Sequence, residues 1–238
     1  MATSKQLRQS KAQHKPKNVH SKRDDKAIYS AMQDCIEYLQ KRFKNDLIGY
    51  ELRFQKSIRY GEMMDTIKAS GLRREFDAVF RNRTIKPDGG IVLLVKKDGK
   101  EPVRVVLVSE VKKQGTNKER MKEGHKQQAQ GNAIERLGKN LTGIKAMMNH
   151  ERITPFVCFG WGCDFVENYE DDFVMSKLSM LNEFYRLNKI YVYKRDGDST
   201  RNSYAPVSMY FREDRWTREE MYQILKEVGE DSIRYYLH

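Results

Sequence analysis

Residues Ile85–Gly115 read IKPDGGIVLLVKKDGKEPVRVVLVSEVKKQG, and the way this stretch folds back decides the architecture. Ile91 to Val95 is one unbroken apolar run and Val103 to Val108 is a second. Between them, Lys97-Asp98-Gly99-Lys100-Glu101-Pro102 carries the Asp-Gly and Pro signals of a turn. A hairpin centred near Gly99 pairs position 88 with roughly position 111, which brings Asp88 and Glu110 within about one pairing step, roughly 5 Å. Alternation along the strand puts Glu110 and Lys112 on one face and turns Val111 into the core. Because both strands are apolar almost throughout, the sheet is expected to be covered on both faces. That pattern suits an α/β domain in which a central mixed β-sheet is flanked by helices.

Two carboxylates and one ammonium at a sheet edge permit a particular chemistry. Asp88 and Glu110, with the backbone carbonyl after Glu110 as a third donor, offer the hard oxygen ligands that suit Mg²⁺, which keeps several waters of its own. A metal held there polarises a phosphoryl oxygen and acidifies a bound water, while Lys112 orients that water or neutralises charge on the phosphate. The plain structural reading stands beside this one: Asp88 as a turn residue after Pro87, with Glu110 and Lys112 as an exposed ion pair.

The whole chain bears on the choice. Its 238 residues, 39% of them hydrophobic, can fill a core, and the formal net charge is +12 with a pI near 9.5. Such charge calls for a polyanionic partner, and nucleic acid is the simplest, its phosphates bound by Lys and Arg with release of counterions. No apolar run approaches the ~20 residues of a spanning helix and no signal-peptide pattern opens the chain, so a soluble intracellular protein is expected. Cys35, Cys158 and Cys163 are odd in number and lack zinc spacing, which predicts free thiols in a reducing compartment. The five histidines likewise share no ligand spacing.

Residues 1–26 carry eight Lys or Arg against two Asp, half of the formal net charge. They form a basic arm that cannot fold alone and either orders on DNA or only solubilises the chain. From there, 27–238 reads as one domain. Ile28, Met32, Cys35, Ile36, Leu39 and Phe43 fall at helical spacing after the candidate caps Asp24 and Asp25. Glu62 to Ala69 reads as a second helix, with Glu62 either reaching the metal or lying on a solvated face. After the hairpin, Thr116 to Gln130 is polar and basic. Helical spacing resumes through Ile134, Leu137, Leu141, Ile144 and Met148.

At the entry to that helix, Gly131 allows close backbone approach, Asn132 can make a bidentate contact with an adenine edge, and Ala129 and Ala133 are small enough to meet a thymine methyl. Arg136 and Lys139 lie within a turn of them, suited to phosphates. The alternative is an ordinary helix cap. Further on, Phe156 to Trp161 reads as a core strand, Met175, Leu178, Leu181 and Phe184 as a helix, and Ile190 to Tyr193 and Val207 to Phe211 as strands. Arg218 to Val228 reads as a helix capped by Thr217.

The segments IKPDGGIV, RVVLVSEVKKQG and GNAIER, in this order and at these intervals, resemble the EcoRI restriction endonuclease family, within the wider group of nucleases that share a Pro-Asp…(Asp/Glu)-x-Lys motif. The likeness covers about residues 50–160. It resumes near Trp216, Met221, Tyr222, Ile224, Ser232 and Arg234, whereas the stretch from about 165 to 212 is shortened. The resemblance implies a restriction-endonuclease-like fold, with Asp88 and Glu110 as metal-binding carboxylates and Lys112 as catalytic lysine. It implies that Gln128 to Ala133 runs along the DNA major groove with Asn132 reading adenine, and that Glu135 and Arg136 couple recognition to cleavage. Asn82, Arg83, Thr84, Lys86, Gly115, Lys139 and Asn140 fall where the family contacts or supports phosphates, although Arg83 replaces a small hydroxyl residue.

The implied activity is Mg²⁺-dependent cleavage of double-stranded DNA at a palindromic site by a homodimer, in the bacterial cytoplasm, with a cognate DNA methyltransferase protecting the host. The nearly intact Ala129 to Arg136 segment points to AATT as the inner site. For the outer base pair, one alignment puts Met180 and Glu183 at the guanine-reading places and a shifted one puts Arg186 and Lys189 there; only the second implies GAATTC. Two other readings stay open: a repair or recombination nuclease reading DNA structure, and a DNA-binding regulator without hydrolysis. GNAIER argues against the first, and the intact Asp88, Glu110 and Lys112 set against the second.

Overall fold

A computed structural model describes residues 18–69, 81–101, 103–113, 124, 132–148, 151, 153–162, 207–212 and 214–238. The elements in chain order are α1 (Asn18–Arg42), β1 (Tyr50–Gln55), β2 (Ile58–Arg59), α2 (Tyr60–Ala69), β3 (Thr84–Ile85), β4 (Gly90–Lys96) and β5 (Arg104–Lys113). Then follow α3 (Asn132–Met147), β6 (Phe156–Trp161), β7 (Val207–Arg212) and α4 (Arg218–Leu237). Five strands form one sheet in the order β1-β4-β5-β6-β7, and β2 with β3 forms a small second ladder.

The expected hairpin is the centre of this sheet. β4 and β5 pair antiparallel, with Gly90 opposite Ser109, Ile91 opposite Val108 and Val92 opposite Leu107. Beyond a register shift, Leu93 faces Val105 and Leu94 faces Arg104, so Val106 is left without a partner, as at a β-bulge. The bulge turns Val106 and Leu107 to the same side, where both are buried in one cluster. β1 adds antiparallel to β4, whereas β6 is parallel to β5 and β7 parallel to β6. The sheet is therefore mixed. A parallel neighbour requires a crossover, and α3 lies in the connection between β5 and β6.

Both faces of the sheet are covered, as its apolar strands require. On one face Ile91, Leu93, Val105, Val108, Phe156 and Cys158 pack with Leu137, Leu141 and Ile144 of α3, with Met148 just past its end and with Met63 of α2. On the other, Val92, Leu94, Val106, Leu107, Val111, Val157, Phe159 and Tyr210 pack with α1 and α4. These two helices approach closely, because a Cβ on Gly229 would come within 2.7 Å of Leu39 Cδ1.

α1 begins at Asn18, so the helix reaches back into the stretch expected as the basic arm, and Asp24 and Asp25 stand inside it rather than capping it. The reason is tertiary. Asp24 is buried, where its carboxylate accepts from Arg215 Nε at 2.6 Å and from Trp161 Nε1 at 3.3 Å. Residues 1–17 lie outside the described residues, as do the helix expected through Met175 to Phe184 and the strand at Ile190 to Tyr193.

The remaining expected elements are present. α2 begins at Tyr60, two residues ahead of Glu62. α4 starts as expected after Thr217, whose hydroxyl accepts from Glu220 N while the Glu220 carboxylate accepts from Thr217 N. This reciprocal pair satisfies two otherwise orphaned donors. Cys35 and Cys158 are free and buried. Among the described residues no helix is long and apolar enough to cross a membrane.

Candidate active site

Asp88 sits in the tight turn that leads into β4, and its placement depends on the two glycines that follow. Gly89 N donates to Ser109 O at 3.0 Å and Gly90 N to Pro87 O at 3.1 Å. A Cβ on Gly89 would fall 1.9 Å from Ser109 Oγ. Gly90 has φ +85°, and its Cβ would meet the Phe54 ring at 2.5 Å. Left-handed backbone and lack of space together leave only glycine there. Gly90→Ala is therefore expected to cost about 2–4 kcal/mol, from strain and overpacking combined. Denaturant unfolding beside single-turnover cleavage checks this, with cleavage falling further than stability alone explains because Asp88 is displaced.

Across the sheet end, the two acids meet as the hairpin count requires. Asp88 N donates to Glu110 Oε2 at 3.2 Å, and Val111 N donates to Asp88 Oδ2 at 3.2 Å. Lys112 Nζ bridges them, 2.8 Å from Asp88 Oδ2 and 2.5 Å from Glu110 Oε1. Glu110 is only 1% exposed, which departs from the plain reading of an exposed ion pair. Burying a carboxylate is costly without such partners. Burial pushes the Glu110 carboxyl up to about 7, opposed by the Lys112 ammonium and assisted by the charge of Asp88. Burial pulls the Lys112 ammonium down, but the Glu110 and Asp88 carboxylates overcome it and hold the group above its usual range.

The donor set suits a small hard cation. One oxygen from each carboxylate converges on a single positive centre, now the Lys112 ammonium, and oxygen donors in that arrangement match Mg²⁺. Among the described residues no group of three or more His, Cys, Asp and Glu side chains could hold a metal. A cation here would thus rest on Asp88, Glu110 and backbone or solvent oxygens. Glu62 is exposed, and its Oε2 accepts from Arg59 N at 3.2 Å, which is the role of a solvated helix start.

Asn140 joins this cluster. Its Nδ2 donates to Glu110 Oε1 at 3.2 Å, so its amide is directed at a carboxylate. The signal was present in the helical phase, since Leu137, Asn140, Leu141 and Ile144 share one face of α3 and Asn140 is the single polar member. Gly143, one turn on, lies so close to Ile85 that a Cβ would be 2.2 Å from Ile85 Cδ1. The helix is thus seated against β3, which leads into the Asp88 turn, and against Glu110 of β5.

Lys86 is exposed immediately before Pro87 and Asp88, and Asn82 is exposed in the turn before β3. α3 begins at Asn132. Ala129 and Gly131 lie outside the described residues, as do the side chains of Asn132, Ala133, Glu135, Arg136 and Lys139. Missed by reasoning from sequence were Asp25, Lys26, Tyr29 and Lys56, which line a cavity shared with Lys86 and Asp88. No local motif marks them, because they come from α1 and the β1–β2 turn.

The chain is 32% identical over 149 residues to the type II restriction enzyme EcoRI of Escherichia coli, covering 59% of this chain and 53% of that enzyme. It is 27% identical over 221 residues to the type II restriction enzyme RsrI of Cereibacter sphaeroides, covering 81% of this chain and 79% of that enzyme. The aligned region thus spans about half the length of the first relative and about four fifths of the second. The family model described as restriction endonuclease EcoRI matches residues 10–237, nearly the whole chain, and on that match the chain belongs to the EcoRI restriction endonuclease family.

Proposed function

We propose that this protein is a type II restriction endonuclease that hydrolyses both strands of DNA at a palindromic site containing AATT, with Mg²⁺ as cofactor. The observation that carries the reading is the convergence of Asp88 Oδ2 and Glu110 Oε1 on one cationic centre at the sheet end. Asp88 and Glu110 would hold the metal, which when bound polarises the scissile phosphoryl group and lowers the pKa of a water. Lys112 orients the attacking water through its ammonium and stabilises the charge that develops on the phosphate. Asn140 holds the Glu110 carboxylate in its rotamer, a second contact beyond the phosphate support that the family likeness suggests for it.

Recognition is assigned to Ala129, Gly131, Asn132 and Ala133, with Glu135 and Arg136 coupling it to cleavage. Asn82, Lys86 and Lys139 contact backbone phosphates. One cleavage centre per chain and a palindromic site call for a two-fold dimer, working in the bacterial cytoplasm beside a methyltransferase that protects the host's sites.

Sequencing the ends of a random DNA library digested with Mg²⁺ present tests this directly. The expected ends carry AATT, cut at symmetric positions on the two strands as a dimer produces. GAATTC is the expected full site, and ends with AATT but changed or mixed flanks would select a different or relaxed outer pair. Asn132→Ala should reduce discrimination at the adenine by about 1–3 kcal/mol. Ends that lack AATT would overturn the site, and no cleavage in Mg²⁺ would overturn the activity.

A further inference from the structure

Beside Asp88 lies a cavity of about 460 Å³ lined by Asp25, Lys26, Tyr29, Lys56, Lys86 and Asp88. Its volume falls within the range of small-molecule sites, and its walls come from separate parts of the chain. Asp25, Lys26 and Tyr29 belong to α1, Lys56 follows β1, and Lys86 precedes the Asp88 turn. The charges do not cancel, since three ammoniums face two carboxylates, and among the described residues none of the three lysines is in a salt bridge. Lys56 Nζ lies 5.1 Å from the Tyr29 ring centroid, and that ring is held edge-on by Phe54 at 5.6 Å. The Phe54 position in turn requires glycine at residue 90. The cavity wall is therefore anchored in the same turn that sets Asp88.

We infer that this cavity is a phosphate subsite, in which Lys26, Tyr29 and Lys56 hold the phosphodiester of the cleaved strand that adjoins the scissile one on the side away from the base-reading helix. The direction follows from the layers. α1 and α3 cover opposite faces of the sheet, and Asp88 stands at the sheet end between them. A strand whose bases meet the start of α3 and whose scissile phosphate lies at Asp88 continues past α1. The next phosphate along that path meets Lys26 and Lys56, and the Tyr29 hydroxyl can donate to it. Lys86 already enters the phosphate contacts proposed above; Lys26, Tyr29 and Lys56 extend them to the α1 side. Asp25, which also lines the cavity, offsets part of the positive charge.

The inference rests on the proposed nuclease reading, and the test separates the two. Lys26→Gln, Lys56→Gln and the double variant are compared with wild type in binding a cognate duplex without Mg²⁺ over a range of salt. All three lysines are exposed, so folding is expected to be unaffected, and circular dichroism checks it. Each substitution should flatten the slope of log K against log salt by about 0.9 and weaken binding about eight-fold at about 0.1 M salt.

A neutral methylphosphonate at the phosphate next to the scissile one should weaken wild type by a similar factor and leave the double variant unchanged; at the phosphate on the other side it should weaken both. Unchanged slopes, or an equal methylphosphonate penalty in wild type and double variant, would overturn the subsite while leaving the nuclease reading intact. Wild type that does not bind DNA would overturn both.

Discussion

Glu110→Ala and Lys112→Ala are each expected to abolish Mg²⁺-dependent cleavage, with a loss on the order of 10³-fold or more, while DNA binding survives. The size follows from what each group does: removal of one preorganised charge from a catalytic centre costs about 3–4 kcal/mol, and loss of a metal ligand removes the water activation as well. Binding is retained because the base-reading segment and phosphate contacts lie elsewhere, and Glu110→Ala is expected to bind at least as tightly as wild type because repulsion of the phosphate falls. Removing Glu110 strands a buried lysine between fewer partners, so Glu110→Gln is the companion variant. Its single amide oxygen can keep the contacts that Asn140 Nδ2 and Lys112 make to Oε1 while giving up the one from Asp88 N to Oε2. The variant keeps the side-chain volume and should fold while failing to cleave. Single-turnover cleavage and filter binding on the same preparations check this, and wild-type cutting by Glu110→Ala would refute the assignment.

Glu220→Ala is expected to destabilise the fold by about 2–4 kcal/mol, the second large effect. Arg212 on β7 is only 5% exposed, and its guanidinium meets the Glu220 carboxylate at 2.9 and 2.6 Å. The same guanidinium donates to the carbonyls of Asp214 and Arg215 and lies 3.8 Å from the centroid of the Trp216 ring. Breaking a buried pair from one side costs about 3–5 kcal/mol, lowered here because Glu220 is 38% exposed and raised by the lost capping box.

The hydrogen bond from Arg212 holds the Glu220 carboxyl down at about 2, well below its ordinary 4.5, with the Thr217 backbone and hydroxyl assisting against partial burial. A carboxyl depressed in the folded state stabilises above its unfolded pKa. Its contribution is therefore complete above about pH 4.5 and is lost as pH falls toward 2. Urea unfolding at neutral pH and near pH 3 should show the wild-type advantage over Glu220→Gln shrinking in acid; a difference that does not change with pH would count against the pairing.

The hairpin and its two acids were legible in the sequence because they depend on local order. The apolar runs 91–95 and 103–108, the Asp98-Gly99 turn signal and the alternation at Glu110, Val111 and Lys112 set strand, register and face within one continuous stretch. The same holds for the strand at Phe156 and the Thr217 cap, each written in a few adjacent residues. The bulge at Val106 was not legible, since nothing in the run RVVLV marks which valine loses its partner, and packing against α1 and α4 decides it.

Nor was the true start of α1 legible. Asp24 resembles a cap by residue type, and only its burial against Arg215 and Trp161, from strands and loops far along the chain, makes it an interior helical residue. Asn140 stands between the two cases: its position in the buried stripe of α3 was readable, but its partner Glu110 was not. By itself the sequence determined which residues carry charge and which face each one takes along its own element. The tertiary structure alone decided which of those faces meet, because Lys26, Lys56 and Lys86 gather beside Asp88 only when helix, strand and turn are packed together, and no periodicity along a chain encodes distances across it.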